Sequence, residues 1–310
     1  MKAAQISQYG GPEVIEIREI DKPTLKDTQV LAEVKAAAIN PFDWKVRAGY
    51  MKENIPLKFP VTLGADFSGV VTEVASDVKD YKPGDEVYGS AIVLGGGSGT
   101  LAEYAAANAA NIAQKPAKLD HEQSAALVLV GVSAFQALDQ LNLSKGQKLL
   151  IQGGAGGVGS ATIQYAKHLG VYVAVTVREA DKVFVRDLGA DEVIDYQKEK
   201  FEEKLGGFDA VFDTVGDETY EKSFQVLKPG GKIISMRQPP NEELASKHNV
   251  TALYQTSQVN TKSLERLSEL VDKDVIKPQI DKEFPLDQAA EAFKHLERGH
   301  PRGKVVVKIK

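Results

Sequence analysis

The chain has 310 residues, enough for about two domains at roughly 150 residues each, with length to bury a core in both. Lys plus Arg number 38 against 43 Asp plus Glu, so the net charge of −5 offers no excess positive field to hold a phosphodiester backbone or anionic lipid, and bulk nucleic-acid binding is not expected. The absence of cysteine removes disulfides, thiolate nucleophiles, cysteine-type zinc sites and iron–sulfur clusters together.

The opening Met1-Lys2-Ala3-Ala4-Gln5-Ile6-Ser7-Gln8 has no secretory apolar core. The longest apolar run, Ala125 to Phe135, is shorter than the roughly 18 residues of a membrane span, so a cytoplasmic protein without membrane association is expected. From residue 1 to about 118 the pattern is short strands and turns. Val14-Ile15-Glu16-Ile17 follows Gly10-Gly11-Pro12, Val30 to Ala38 and Phe67 to Val74 are β-rich, and Lys82-Pro83-Gly84-Asp85 turns into Glu86-Val87-Tyr88. Strands so closely spaced predict a small barrel or rolled antiparallel sheet. Gly95-Gly96-Gly97-Ser98-Gly99 reads as a mobile loop.

The style changes at Asp120-His121-Glu122-Gln123, a capping box that predicts a helix through Ala125 to Leu141. Strands then alternate with helices: strand Lys148 to Gln152, a glycine turn, helix Val158 to Leu169, strand Val171 to Val177, helix Glu179 to Leu188 and strand Glu192 to Ile194. Strand Phe208 to Val215, helix Asp217 to Leu227 and strand Lys232 to Met236 complete the run. Such alternation predicts an α/β domain with a parallel sheet covered on both faces. Helices Lys262 to Lys273 and Leu286 to Arg298 and a last strand, Lys304 to Ile309, are too few for a third domain. They are expected to return to the first, giving a discontinuous domain of residues 1–119 and 258–310 around an inserted domain of residues 120–257.

The glycine turn is the clearest chemical signal. Gly153, Gly154, Gly156, Gly157, Val158 and Gly159 contain Gly-x-Gly-x-x-Gly between an apolar strand and a helix. A diphosphate needs bare backbone there, because side chains would block its approach and hold helix from strand, while the helix N-terminus offers free amides. No Lys-Ser or Lys-Thr follows, which disfavours a nucleoside-triphosphate loop. NAD-selective sites place Asp or Glu at the end of the second strand, about 20 residues on, to hold the ribose 2′-hydroxyl. Here the stretch is Val175-Thr176-Val177-Arg178. Thr176 leaves room for a 2′-phosphate, Arg178 can bond it as a fixed cation, and Lys182 adds charge, so NADPH is expected over NADH. The alternative for Arg178 is a solvated residue at a helix start.

On Ala38-Ile39-Asn40-Pro41-Phe42-Asp43-Trp44-Lys45, Leu63 to Val71, Lys82 to Gly89, Gly153 to Gly159 and Gly303-Lys304-Val305-Val306, the chain resembles the medium-chain dehydrogenase/reductase superfamily across nearly its whole length. It is similar in particular to the zinc-independent quinone oxidoreductase (zeta-crystallin-like) and enone reductase branch. The resemblance implies a GroES-like, mostly-β catalytic domain and a Rossmann domain, a homodimer, and NADPH-linked reduction of small-molecule quinones or α,β-unsaturated carbonyls. Zinc-dependent relatives carry Gly-His-Glu where this chain has Gly64-Ala65-Asp66, and a Cys at or near Asn40. With His121, His168, His248, His295 and His300 scattered without ligand spacing, no metal site is expected. Hydride transfer to an already electrophilic carbon remains open, in a dry cleft expected between the domains.

The resemblance also supplies site residues. Asn40 looks like a nicotinamide-positioning residue, its amide able to donate and accept at once, or else a turn-former before Pro41. Lys45 stands where enone reductases often have Lys, and either stabilises an enolate or is a solvated lysine. Tyr50 is a candidate donor to a carbonyl. Tyr196 matches a Tyr near the adenosine phosphate, with simple packing as the alternative. Val132 and Ser133 resemble the helix that meets the nicotinamide ribose, Val215 and Gly216 end a parallel strand where ligands approach such sheets, and the backbone of Gly303 and Lys304 is expected to line the nicotinamide pocket.

Two rival readings differ in class. Tyr196-Gln197-Lys198-Glu199-Lys200 fits the Tyr-x-x-x-Lys of short-chain reductases, but that family opens on its glycine turn and places the Tyr far beyond it. A non-enzymatic alternative is an NADPH-binding sensor or scaffold with little turnover.

Overall fold

In this computed structural model, residues 1–53 and 56–309 are described. The chain forms two compact units. The first comprises Met1–Leu129, Val259–Asp274 and Pro278–Lys310; the second comprises Val130–Gln258 and Val275–Lys277.

The first unit begins with β1 (Lys2–Ile6), β2 (Glu16–Glu19), β3 (Gln29–Ile39) and helix α1 (Pro41–Ala48). It continues with β4 (Val61–Thr62), β5 (Asp66–Val74), β6 (Glu86–Ser90), β7 (Tyr104–Asn108) and β8 (Ile112–Gln114). Helix α2 (His121–Leu141) follows under the expected capping box: Gln123 N–H donates to Asp120 Oδ1 at 2.7 Å and Asp120 N–H to Gln123 Oε1 at 3.2 Å. The boundary between units falls inside α2. Ala125 and Ala126, near its start, pack with Ala36, Ala38 and Val306 of the first unit, where small side chains allow close approach. Among the described residues α2 is the one helix long and apolar enough to cross a membrane, more so than its longest unbroken apolar run suggests. Because 78% of its apolar window is buried within the protein, it is a core helix.

The second unit contains β9 (Lys148–Gln152), α3 (Gly157–His168), β10 (Tyr172–Val177), α4 (Lys182–Asp187), β11 (Glu192–Asp195), α5 (Phe201–Lys204) and β12 (Phe208–Asp213). After these come α6 (Asp217–Ser223), β13 (Leu227–Ser235), α7 (Glu242–His248) and β14 (Thr251–Tyr254). Its six strands lie in the order β11-β10-β9-β12-β13-β14, all parallel. Counted from β9 this is 3-2-1-4-5-6, the doubly wound dinucleotide-binding order, with its switch point between β9 and β12. Leu149, Leu150 and Ile151 are fully buried, as strands covered on both faces require.

The first unit closes with α8 (Thr261–Asp272), β15 (Ile280–Pro285), α9 (Ala289–Arg298) and β16 (Lys304–Lys308). Strand β16 runs antiparallel to β3 in a seven-stranded sheet ordered β15-β16-β3-β5-β6-β8, with β7 also on β3; β1 joins β2 and β4 in a smaller sheet. A fully buried core of Phe293, Val305, Val307, Ala37, Ile6 and Leu101 therefore joins both ends of the chain.

Three sequence expectations need correction. Asn40 to Tyr50 is not part of a strand-and-turn region but contains α1, which starts where Asn40 precedes Pro41 at the first helical position and Asp43 accepts the Asn40 N–H at 2.7 Å. The Gly95–Gly99 loop is not an open excursion but is tied back by backbone hydrogen bonds: Gly97 N–H donates to Ile92 O and Gly99 N–H to Ala91 O, and a Cβ on Gly97 would lie 2.2 Å from Ala91 O. Its glycines permit close backbone approach. Finally, Glu179 to Leu188 divides into a 3₁₀ turn (Glu179–Asp181) and α4, while α7 and β15, short and largely polar, and β14, only four residues long, lie outside the sequence expectation.

Candidate functional site

The parallel strands of the second unit end on one rung of buried polar side chains. Thr176 lies opposite Gln152, Gln152 opposite Asp213 and Asp213 opposite Ser235, and Asp195, opposite Val177, stands one position beyond this rung. All five polar residues are 3% exposed or less. In doubly wound sheets ligands bind outside this carboxyl edge, at the switch point.

The rung builds the loops above it. Thr176 Oγ1 donates to Gln152 Oε1 at 2.6 Å and accepts the Gly153 N–H at 3.3 Å, while Gln152 Nε2 donates to Ser223 Oγ. Thr176, expected only to leave room for a 2′-phosphate, thus acts on the turn itself. Asp213 Oδ1 accepts the N–H groups of Val215 (3.1 Å) and Gly216 (3.0 Å), and its Oδ2 accepts Ser235 Oγ–H at 2.7 Å. Asp213 therefore shapes the second loop, although the sequence points only to Val215 and Gly216. A polar residue closing an apolar strand, as in Leu-Leu-Ile-Gln, Val-Phe-Asp and Ile-Ile-Ser, is the signal for this rung.

The glycines of the turn divide by what each must avoid. Gly153 has φ +78°, which favours glycine; a Cβ on Gly154 would meet Val175 Cβ at 2.8 Å, and one on Gly159 would meet Gly153 O at 2.3 Å. Gly156 differs: its φ is −72°, and a Cβ placed on it would find its nearest neighbour, Gly153 O, at an ordinary 3.6 Å. The protein's own packing does not require glycine at 156, so the bare Cα leaves a cradle. Above it α3 opens at Gly157, where the amides of Gly157, Val158 and Gly159 precede the first intrahelical bond, Ser160 N–H to Gly156 O. Bare backbone with first-turn amides fits a diphosphate.

Beyond β10, Arg178 Nε and Nη2 both lie 2.9 Å from Asp181 Oδ2, and Lys182 Nζ is 3.3 Å from Glu179 and 3.7 Å from Glu199. Both cations stand beside the second strand as expected, each already facing a carboxylate. Tyr196, just past β11, is 48% exposed, so its ring is not a core packing element. In α2, Val132 and Ser133 are fully buried; Ser133 Oγ meets Ser257 Oγ at 2.6 Å, and Ser133 O accepts Gln255 Nε2. Gln255 Oε1 is buried without a hydrogen-bond partner among the described residues.

In the first unit a charged cluster surrounds Asn40. Its Nδ2 donates to Asp66 Oδ2 at 2.8 Å, its Oδ1 accepts the Lys304 ammonium, and Lys304 Nζ also donates to Ile39 O at 2.8 Å. Burial pushes the Asp43 carboxyl up to about 7, helped by Asp66 and opposed by the Asn40 N–H and Lys304. Burial also raises Asp66 and lowers Lys304, each opposed by the other's charge. Asp43, Asp66 and the Lys304 side chain are not singled out by the sequence. Gly303, at φ +90°, is needed for a close approach to Gln279 O. Lys45 lies on α1, its ammonium 5.9 Å from the Trp44 ring centre, and Tyr50 follows the helix, 73% exposed and edge-on to Trp44 at 5.4 Å.

Two family models match the chain: an alcohol dehydrogenase GroES-like domain over residues 26–117 and a zinc-binding dehydrogenase over residues 188–307. The NADPH-dependent alkenal/one oxidoreductase, chloroplastic, of Arabidopsis thaliana is 40% identical over 99% of this chain and 79% of its own length. The quinone oxidoreductase of Coxiella burnetii superposes with a TM-score of 0.90 at 36% identity, covering 100% of this chain and 99% of the other. The Escherichia coli quinone oxidoreductase complexed with NADPH gives 0.90 at 26% identity over the whole of both chains. With its GroES-like unit and doubly wound nucleotide unit, this chain belongs to the medium-chain dehydrogenase/reductase superfamily, in the quinone oxidoreductase branch.

Proposed function

We propose that this chain is an NADPH-dependent oxidoreductase that transfers a hydride to a quinone or an α,β-unsaturated carbonyl. The observation that carries the reading is the cradle at Gly156, a position that packing leaves free to hold a side chain yet is bare beneath the first-turn amides of α3. The full-length similarity to an enzyme named for NADPH-dependent alkenal/one reduction supports it.

When bound, NADPH supplies the hydride equivalent. The amides of Gly157, Val158 and Gly159 would hold its diphosphate, and Arg178 and Lys182, with Tyr196 nearby, its 2′-phosphate. Val132, Ser133, Val215, Gly216 and the Gly303–Lys304 backbone are proposed for the nicotinamide half. On the acceptor side Lys45 and Tyr50 would bond the carbonyl oxygen and stabilise the negative charge that grows there as the carbon is reduced, while the Asn40 amide would position the nicotinamide.

No metal enters this reading. One family description names zinc, but among the described residues no three His, Cys, Asp or Glu side chains converge to hold an ion, and Asp66 faces an ammonium and an amide. A homodimer is part of the proposal: β14 ends its sheet, and an open edge is a template for a second copy. A cytoplasmic location is proposed with it, to be checked by cell fractionation, as light scattering checks the dimer.

The deciding experiment follows NADPH oxidation with a panel of short 2-alkenals and p-quinones. Turnover with either class supports the reading. Tight NADPH binding without oxidation by any acceptor would replace it with a sensor, which no observation in the fold favours.

A further inference from the structure

The junction between β3 and α1 is held by an ammonium from the far end of the chain. Lys304 opens β16, next to the Val305–Ile39 pair, and its Nζ bonds both Ile39 O and Asn40 Oδ1. The opposite end of the Asn40 amide donates to Asp66 Oδ2, which also accepts the Leu129 N–H at 3.3 Å and lies 4.0 Å from the ammonium. Asn40 and Asp66 are each 1% exposed and Lys304 is 4% exposed.

A lysine ammonium has only donors, and an ionised carboxylate only acceptors. An amide fixed between them has one orientation, with Oδ1 toward Lys304 and Nδ2 toward Asp66. Hydrogen bonds in such a chain polarise one another, so the ammonium on Oδ1 makes the second Nδ2 hydrogen a better donor. Stability does not account for the arrangement. Desolvating these charges opposes folding, and well-packed apolar residues of similar volume would serve a purely structural role as well.

We propose that Lys304 and Asp66 are positioning residues that orient the Asn40 amide so that it enters the reaction as a hydrogen-bond donor. This rests on the reading of Asn40 as a residue of the hydride-transfer site. The clamp explains why a buried cation stands at the first residue of β16, where the strand needs none. It also gives Asp66 a purpose in a stretch, Gly64-Ala65-Asp66, that otherwise only lacks a metal ligand.

The test labels the full-length protein with ¹⁵N-asparagine, assigns the Asn40 side-chain signals by their loss in Asn40→Ser, and measures both spectra and kinetics. Lys304→Met keeps the aliphatic stem and removes the donors. It should speed solvent exchange of the Asn40 Nδ2 protons in the cofactor-free protein and lower kcat about tenfold or more, with KM for NADPH changed less than about threefold. Because the single variant leaves Asp66 without its cation, Lys304→Met with Asp66→Asn is the companion. It should recover the melting temperature but not kcat, since an amide at position 66 donates and accepts alike and no longer selects an orientation. Unchanged Asn40 signals in Lys304→Met, or recovery of kcat together with stability in the double variant, would overturn the proposal. If the wild-type protein reduced no acceptor, the enzymatic reading would fall and the catalytic purpose of the clamp with it; the Asn40 signals would still report separately on the clamp.

Discussion

Arg178 directs two guanidinium nitrogens, Nε and Nη2, to a single carboxylate oxygen of Asp181, both at 2.9 Å. Asp181 is 2% exposed, whereas the Arg178 side chain retains 28% exposure, so the buried partner fixes the guanidinium beside the end of β10. A planar cation held in this way is preorganised for a phosphate.

Arg178→Ala is therefore expected to weaken NADPH binding by about ten- to a hundredfold, the worth of one or two charge-assisted hydrogen bonds, and to leave NADH binding nearly unchanged. Fluorescence titration with both cofactors measures the ratio. Equal losses for the two would remove Arg178 from the 2′-phosphate site.

The glycine turn separates packing from binding. Gly159→Ala places a methyl group against Gly153 O and should cost about 1–3 kcal/mol of stability as the helix shifts from the strand. Gly156→Ala meets nothing closer than 3.6 Å and should change stability by about 0.5 kcal/mol or less, yet lower NADPH affinity more than about tenfold. Urea unfolding and cofactor titration of the two variants make the comparison; a Gly156→Ala protein that binds NADPH normally would empty the cradle of meaning.

Asp43 gives a pH signature. Its carboxyl sits at about 7 in the folded protein against an ordinary 3.8, so between those values the native state holds a proton that the unfolded chain has released. Its contribution to stability is therefore complete below about 4 and is lost as pH rises through 7, at up to about 1.4 kcal/mol per pH unit. Asp43→Asn, which can still accept the Asn40 N–H, should flatten this part of the stability–pH curve. An unchanged slope would show that Asp43 titrates normally.

Arg47 is almost fully buried, and its guanidinium makes a two-pronged pair with Glu297 of α9, Nη1 to Oε1 at 2.7 Å and Nη2 to Oε2 at 3.2 Å, while Nε donates to Gly10 O. Glu297→Ala leaves that charge inside with one fewer partner and is expected to cost about 3 kcal/mol, near the lower end for a broken buried pair because Glu297 keeps 22% exposure. Chemical denaturation checks it, and a loss under about 1 kcal/mol would class the pair with ordinary surface bridges.

Much of the second unit, and the start of α2 in the first, was legible because the signals are local. The strand Lys148–Gln152, the glycine turn and the capping box of α2 each depend on neighbours within a few positions, where apolar runs, bare backbone and a four-residue reciprocal hydrogen bond act directly. Helix α1 was equally local, with Asn40, Pro41 and Asp43 in the order of a helix start, but its eight residues are too few to display a helical period.

The charged cluster was beyond such reading. Asn40 and Asp66 stand 26 positions apart, and Asn40 and Lys304 stand 264 apart. Composition, strand periodicity and the glycine spacing determined from sequence that this protein has a nucleotide-binding sheet and a second, β-rich unit made from both ends of the chain. Only the pairing of β5 and β16 with β3 decided that a lysine and a carboxylate would meet across one amide, because strand register across a sheet depends on which apolar faces can be buried together and leaves no trace in any single segment.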